Sequence, residues 1–199
     1  MDQQSTPFFT FECIPSNSRK FVEYWSAQYD YPDMDVYEES IVKTPVTAER
    51  LITLFTWKNG MPLSGKKEQA LRDKIISKLT VIQTLSDNYN EALFDQHFGK
   101  LRIVWRVFLL HIINPERFPI FDQHVYRAYR CLMDISEVGR EEEPKLTMEA
   151  YNEYCKFYRE IVKQCDFSSK TVDDALWAFG KFLSRYPWMV LSRTKTAAT

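Results

Sequence analysis

Asp122, His124 and Arg127 lie together in the run Asp122-Gln123-His124-Val125-Tyr126-Arg127. A carboxylate stands at its head, with an imidazole and a guanidinium close behind. Pro115 and Pro119 precede it, and neither can continue a helix, so Asp122 falls at a loop-to-helix junction. A carboxylate there has two possible roles. It can cap the helix, for which Asp is a favoured residue. Kept ionised by the helix start and by Arg127, it can instead stabilise a developing cation or activate water. Between Phe98 and Leu132 it is surrounded by Lys100, Arg102, Arg106, Arg117, Arg127 and Arg130, with Glu116 as the one other acid. Trp57-Lys58 is a second pairing of interest. An indole beside an amine at a helix end can stack on a heterocycle or meet a phosphate, or it can simply pack at the rim of a core.

The elements that must position these groups are helical. Leu101, Val104, Trp105, Phe108 and Ile112 recur at helical spacing, which predicts a core helix from about Lys100 to Ile113. Asn114-Pro115 stops it, the loop PERFPIF follows, and a second helix starts after Asp122. His111, inside the apolar helix, reads as a hydrogen-bonded core residue. Upstream, Ser18 can cap a short helix carrying Phe21, Tyr24 and Trp25, and Asp30 to Ser40 reads as a solvated acidic loop. Thr47 opens a helix that Asn59-Gly60 closes, and a long helix is expected over 65–85 with a solvated lysine face of Lys66, Lys67, Lys74 and Lys78. Asp87 or Asn88 opens a short helix running into His97-Phe98-Gly99. Downstream, Thr147 begins a tyrosine-rich helix, and Thr171-Val172-Asp173-Asp174 has capping-box spacing before a last helix. β-branched alternation is absent, so no strand is expected.

Composition sets wide bounds. At 199 residues with 45% hydrophobic content, the chain fits one domain, with a lobe boundary expected in the acidic loop 134–146. The net charge is −1, but it is unevenly spread: residues 1–50 hold nine acids against four bases, whereas 98–132 is basic. Cys13, Cys131, Cys155 and Cys165 form no CxxC pair and read as reduced thiols of a cytoplasmic protein. The opening residues MDQQSTPFF lack the features of a signal peptide, and no apolar run is long enough to span a membrane. Nucleotide-binding glycine loops, GxSxG and HExxH are absent.

The central stretch resembles the helix-hairpin-helix DNA glycosylases, especially the endonuclease III, adenine-glycosylase and 8-oxoguanine-glycosylase group. The residues that carry the resemblance are Phe98-Gly99, the buried helix, Pro119-Ile120-Phe121 and Asp122-Gln123-His124-Val125-Tyr126-Arg127, about thirty in all. It implies an all-α fold of about seven helices in two lobes around a cleft. It also implies Asp122 as the catalytic carboxylate, and double-stranded DNA containing a damaged or modified base as the partner. Gly99, Lys100, Arg102, His124 and Arg127 are the implied DNA contacts, and Trp57, Lys58 and Phe98 candidates for the base pocket or wedge.

Two departures shape the expected chemistry. The hairpin reads His97-Phe98-Gly99, with one glycine where the family has two. Leu101 occupies the position of the lysine that lyase members carry, and Lys100 is rotated from it by about 100°. The expectation is therefore a monofunctional glycosylase that hydrolyses the N-glycosidic bond without a Schiff base. It would act as a monomer with no cofactor, metal or iron–sulfur cluster, in repair or against modified phage DNA. The alternative is a non-catalytic helical module of the same outline that binds DNA or protein.

Overall fold

The computed structural model describes residues 17–41, 45–133 and 145–186. Those residues form ten α-helices and one 3-10 turn, with no strand. The helices are α1 Ser18–Ser26, α2 Met34–Ile41, α3 Ala48–Asn59, α4 Gly65–Lys74, α5 Leu79–Asp87, α6 Glu91–Phe98, α7 Ile103–Ile113, α8 Gln123–Leu132, α9 Met148–Cys165 and α10 Ser169–Arg185. The fold is all-α, as expected, and none of these helices is long and apolar enough to cross a membrane. The segments before residue 17, over 134–144 and after 186 lie outside the described residues. With them lie Cys13 and most of the expected lobe-boundary loop.

The helix count exceeds seven for two local reasons. The segment expected to be an acidic loop holds α2. Tyr37 and Ile41, four residues apart, are both buried, while Asp35, Glu38 and Glu39 stay exposed on the other face. The helix expected over 65–85 breaks at Ile75, whose backbone (φ −122°, ψ −60°) leaves the helical region so that its side chain can enter the core. A 3-10 turn, Ile76–Lys78, then redirects the chain into α5.

Caps account for most boundaries. Thr47 accepts from the Arg50 amide at 3.3 Å, and Gly60, in the left-handed region at φ 69°, closes α3. Three other starts differ from expectation. Asn17 rather than Ser18 caps α1, and Asn90 rather than Asp87 or Asn88 caps α6. Ser168 rather than Thr171 caps α10, so the last helix begins about one turn early. Asp173, which lies between the two residues of the expected capping box, is buried one turn inside the helix.

The tightest helix packing falls into two groups. One packs α1, from the start of the chain, and α8 against α9 and α10, and the other joins α2 with α3 and α5 with α7. Buried side chains of both groups form one hydrophobic cluster. In α7 every residue from Val107 to Ile113 is buried, so its second half is enclosed on all sides. Where α8 crosses α10, Gly180 makes the approach possible: a Cβ there would lie 1.9 Å from the His124 carbonyl oxygen. α10 thus fixes the first turn of α8, and with it Asp122.

Candidate functional site

The loop between α7 and α8 delivers Asp122. The Asn114 carbonyl accepts from the Arg117 and Phe118 amides at 3.2 and 3.0 Å, folding the chain back after Pro115. His111 Nδ1 meets the Phe118 carbonyl at 2.7 Å and its Nε2 meets the Tyr37 hydroxyl at 2.6 Å. Burial pushes the imidazole down to about 4, so the ring is neutral, with Nδ1–H donating to Phe118 and Nε2 accepting from Tyr37. His111 is the hydrogen-bonded core residue its position suggested. Ile120 and Phe121 are buried and pull the end of the loop inward.

Asp122 caps α8 with one oxygen and pairs with Lys58 through the other. Oδ1 accepts from the His124 amide at 2.8 Å and the Val125 amide at 3.2 Å. Lys58 Nζ donates to Oδ2 at 2.8 Å. The two side chains keep 15% and 13% of their accessible surface, so the pair is nearly buried yet reaches solvent. Burial alone would raise the Asp122 pKa. The charge and hydrogen bond of Lys58, the nearby His124 and the Val125 amide outweigh it and hold the carboxyl below the usual carboxylate range. The site therefore contains an ionised carboxylate with a fixed orientation and an ammonium group in contact with it.

The other expected site residues divide into two sets. Lys100 and Arg102 are exposed at the entrance to α7, whose N-cap, Arg102, makes no side-chain hydrogen bond to the first-turn amides. Gly99, however, does not offer its amide to a ligand, because that amide donates to the Asp95 carbonyl at 2.9 Å. Phe98 is 1% exposed, packed on Phe94 with Lys78 above its ring, and so is a core residue rather than a wedge. Lys78 also leaves the expected solvated face, since its Nζ donates to the His97 carbonyl at 2.7 Å.

His124 and Arg127, expected at DNA, are turned toward α10. The His124 ring meets Trp177 edge-on at 5.2 Å, and Arg127 donates to the Gly180 carbonyl at 3.1 Å. Burial, outweighing the attraction of Asp122, lowers the His124 pKa.

Trp57 is buried and stands between Tyr31 (4.8 Å) and Tyr37 (4.5 Å), while Tyr31 reaches Trp177 at 5.4 Å. The Tyr31 hydroxyl donates to the Trp57 carbonyl at 3.1 Å. Aromatic rings from α2, α3, α10 and the α1–α2 connection thus pack together next to the Lys58–Asp122 pair.

Sequence reasoning missed Asp173. It is 8% exposed, and its Oδ1 has no hydrogen-bond partner. Burial, with Asp174 adding to it, pushes its pKa up to about 8, against the pull of Lys58. The available signal was register: Asp173 shares a helical face with Leu176, Trp177 and Gly180, all buried on α10. Among the described residues no cluster of His, Cys, Asp and Glu is arranged to hold a metal ion. Cys155 and Cys165 are buried, which raises both thiol pKa values and suits packing rather than nucleophilic attack.

No family model matches the chain, and comparison with curated proteins and with solved structures yields no match.

Proposed function

We propose that the protein is a DNA glycosylase that hydrolyses the N-glycosidic bond of a damaged or modified base and leaves an abasic site, with Asp122 as the essential carboxylate. The observation that carries this reading is the Lys58–Asp122 pair. A helix cap needs only one carboxylate oxygen for the first-turn amides and does not call for a buried lysine on the other. Here one oxygen does that work, while the other is held toward the junction of the two helix groups, ionised and within reach of solvent.

Loss of a base leaves positive charge on the sugar, and an oriented carboxylate stabilises that charge and the water that quenches it. Lys58 retains two further N–H donors for the departing base or a neighbouring phosphate. The target must leave the duplex to reach this depth, and aromatic rings behind the pair suit an everted base. Lys100, Arg102 and the uncapped start of α7 supply phosphate contacts despite the net charge of −1.

The alternative, a non-catalytic binding module, is favoured by the cap geometry of Oδ1 and by the contacts of the half-buried His124 and Arg127 with α10. A screen of base release separates the two. Purified protein is incubated with duplexes carrying oxidised, alkylated, deaminated or mispaired bases and with phage genomic DNA, and alkali-sensitive sites are scored. Release from at least one substrate supports the enzyme. Binding without release from any of them supports the module.

A further inference from the structure

Two polar atoms near the Lys58–Asp122 pair are buried with nothing to bond: Trp57 Nε1 and Asp173 Oδ1. Both residues are more than nine-tenths buried. They belong to one neighbourhood. Trp57 precedes Lys58 on α3 and touches Tyr31 and Tyr37. Trp177, one turn from Asp173 on α10, touches Tyr31 from the other side. Asp173 is also electrostatically coupled to Tyr37, Lys58 and Asp122. Native interiors seldom leave buried donors and acceptors unused, and two in one aromatic neighbourhood indicate a missing polar partner.

The chemistry of the two atoms describes that partner. Trp57 Nε1 is a donor only, so it requires an acceptor. Asp173, buried and pushed to about 8, is a carboxylic acid at neutral pH, presenting an O–H donor and a C=O acceptor side by side. Its complement is a planar edge with an N–H next to an acceptor, as on an unmodified amide-like edge of a purine or pyrimidine. The rings of Tyr31, Tyr37 and Trp177 provide apolar faces for such a heterocycle.

Resting on the glycosylase reading, we infer that Trp57 Nε1 and Asp173 Oδ1 are the hydrogen-bonding points that receive the everted base. They select a neutral base carrying an N–H beside an acceptor, with a further acceptor for the indole.

Free bases test the inference without requiring catalysis. Full-length protein is titrated with 9-methylhypoxanthine and 1-methyluracil, whose glycosidic nitrogen is substituted as in DNA, and with 1,9-dimethylhypoxanthine and 1,3-dimethyluracil, in which the N–H beside the carbonyl is blocked as well. Tryptophan fluorescence and calorimetry are the readouts. The expected result is saturable binding of at least one unblocked base, weakened tenfold or more by the methyl group. Asp173→Leu and Trp57→Phe are each expected to weaken it similarly, while Lys156→Ala on an exposed stretch of α9 leaves it unchanged. Should Asp173→Leu fail to fold, Trp57→Phe carries the test. Equal binding of blocked and unblocked bases overturns the inference. So does no binding at all, which would assign the two atoms to ordered water. Release of base from duplexes by a protein indifferent to both substitutions sinks the recognition site and leaves the glycosylase reading standing. Binding of free base with no release from any duplex does the reverse.

Discussion

Lys58 Nζ donates to Asp122 Oδ2 over 2.8 Å, although the two residues are 64 apart in sequence and belong to different helix groups. The contact joins the end of α3 to the start of α8. Gly60 ends α3 just past Lys58, and the Asn114 turn ends the approach to Asp122, so both partners sit at element termini whose positions are fixed by backbone geometry.

Removing the amine should therefore alter the carboxylate. Lys58→Met leaves Asp122 with its two amides but deletes the charge that most opposes its burial. Base release is expected to fall on the order of 100-fold. Its acid limb should move to higher pH, because the carboxyl then ionises less readily. Rate–pH profiles of the variant and the parent check both. An unchanged acid limb would show that Lys58 does not set the ionisation of Asp122.

Gly180→Ala tests how the site is held. A Cβ 1.9 Å from the His124 carbonyl oxygen cannot be accommodated without separating α8 from α10. The backbone at that contact has little freedom, so a loss of about 3 kcal/mol in unfolding free energy is expected. Chemical denaturation measures it. Parent-like stability would mean that the two helices have room to part.

How much of this was legible in the sequence depends on range. The Asn114-Pro115 stop, Asn59-Gly60 and the Asp122 junction are local signals, and each appears where expected because caps and prolines act within one turn. α2 was not legible: five acids in eleven residues masked two buried side chains, Tyr37 and Ile41, whose value depends on α3 and α7 being beside them. His124 and Arg127 were expected at DNA because their spacing from Asp122 could be read. Their actual neighbour, Gly180 on α10, could not. Asp173 was hidden because Thr171 and Asp174, on either side of it, have capping-box spacing, which reads as an exposed helix start, whereas the helix starts at Ser168 and Asp173 lies on its buried face.

That interior carboxyl predicts a pH effect on stability. Asp173 protonates at about 8 in the fold and near 3.8 when unfolded, so its stabilising contribution is full below pH 4 and is lost as pH rises to 8. His111 runs the opposite way. Its folded value of about 4 gives stability above pH 6.5 that is lost as pH falls. The charges coupled to Asp173, namely Asp174, Lys58, Asp122 and Lys170, are retained in Asp173→Asn. The variant should gain stability over the parent by several degrees at pH 8 and by much less at pH 5. Thermal melts at the two values check this, and an equal offset at both would contradict it.

Lys100 and Arg102 bear on affinity rather than chemistry. Both are exposed where α7 begins, and each is expected to neutralise one phosphate. Replacing either with Ala should reduce the slope of log Kd against log salt by about 1 and weaken binding to matched and modified duplexes alike. Fluorescence anisotropy across a salt series measures it. An unchanged slope would place the DNA on another face.

The most direct test uses the duplex from which the parent releases a base and compares single-turnover release by Asp122→Asn. The amide keeps an oxygen for the His124 and Val125 amides but cannot carry the negative charge. The account predicts a folded protein that binds the duplex and releases base at least a thousandfold more slowly, a loss of about 4 kcal/mol in transition-state stabilisation. Release at the parental rate by the folded variant would show that Asp122 is a cap and nothing more.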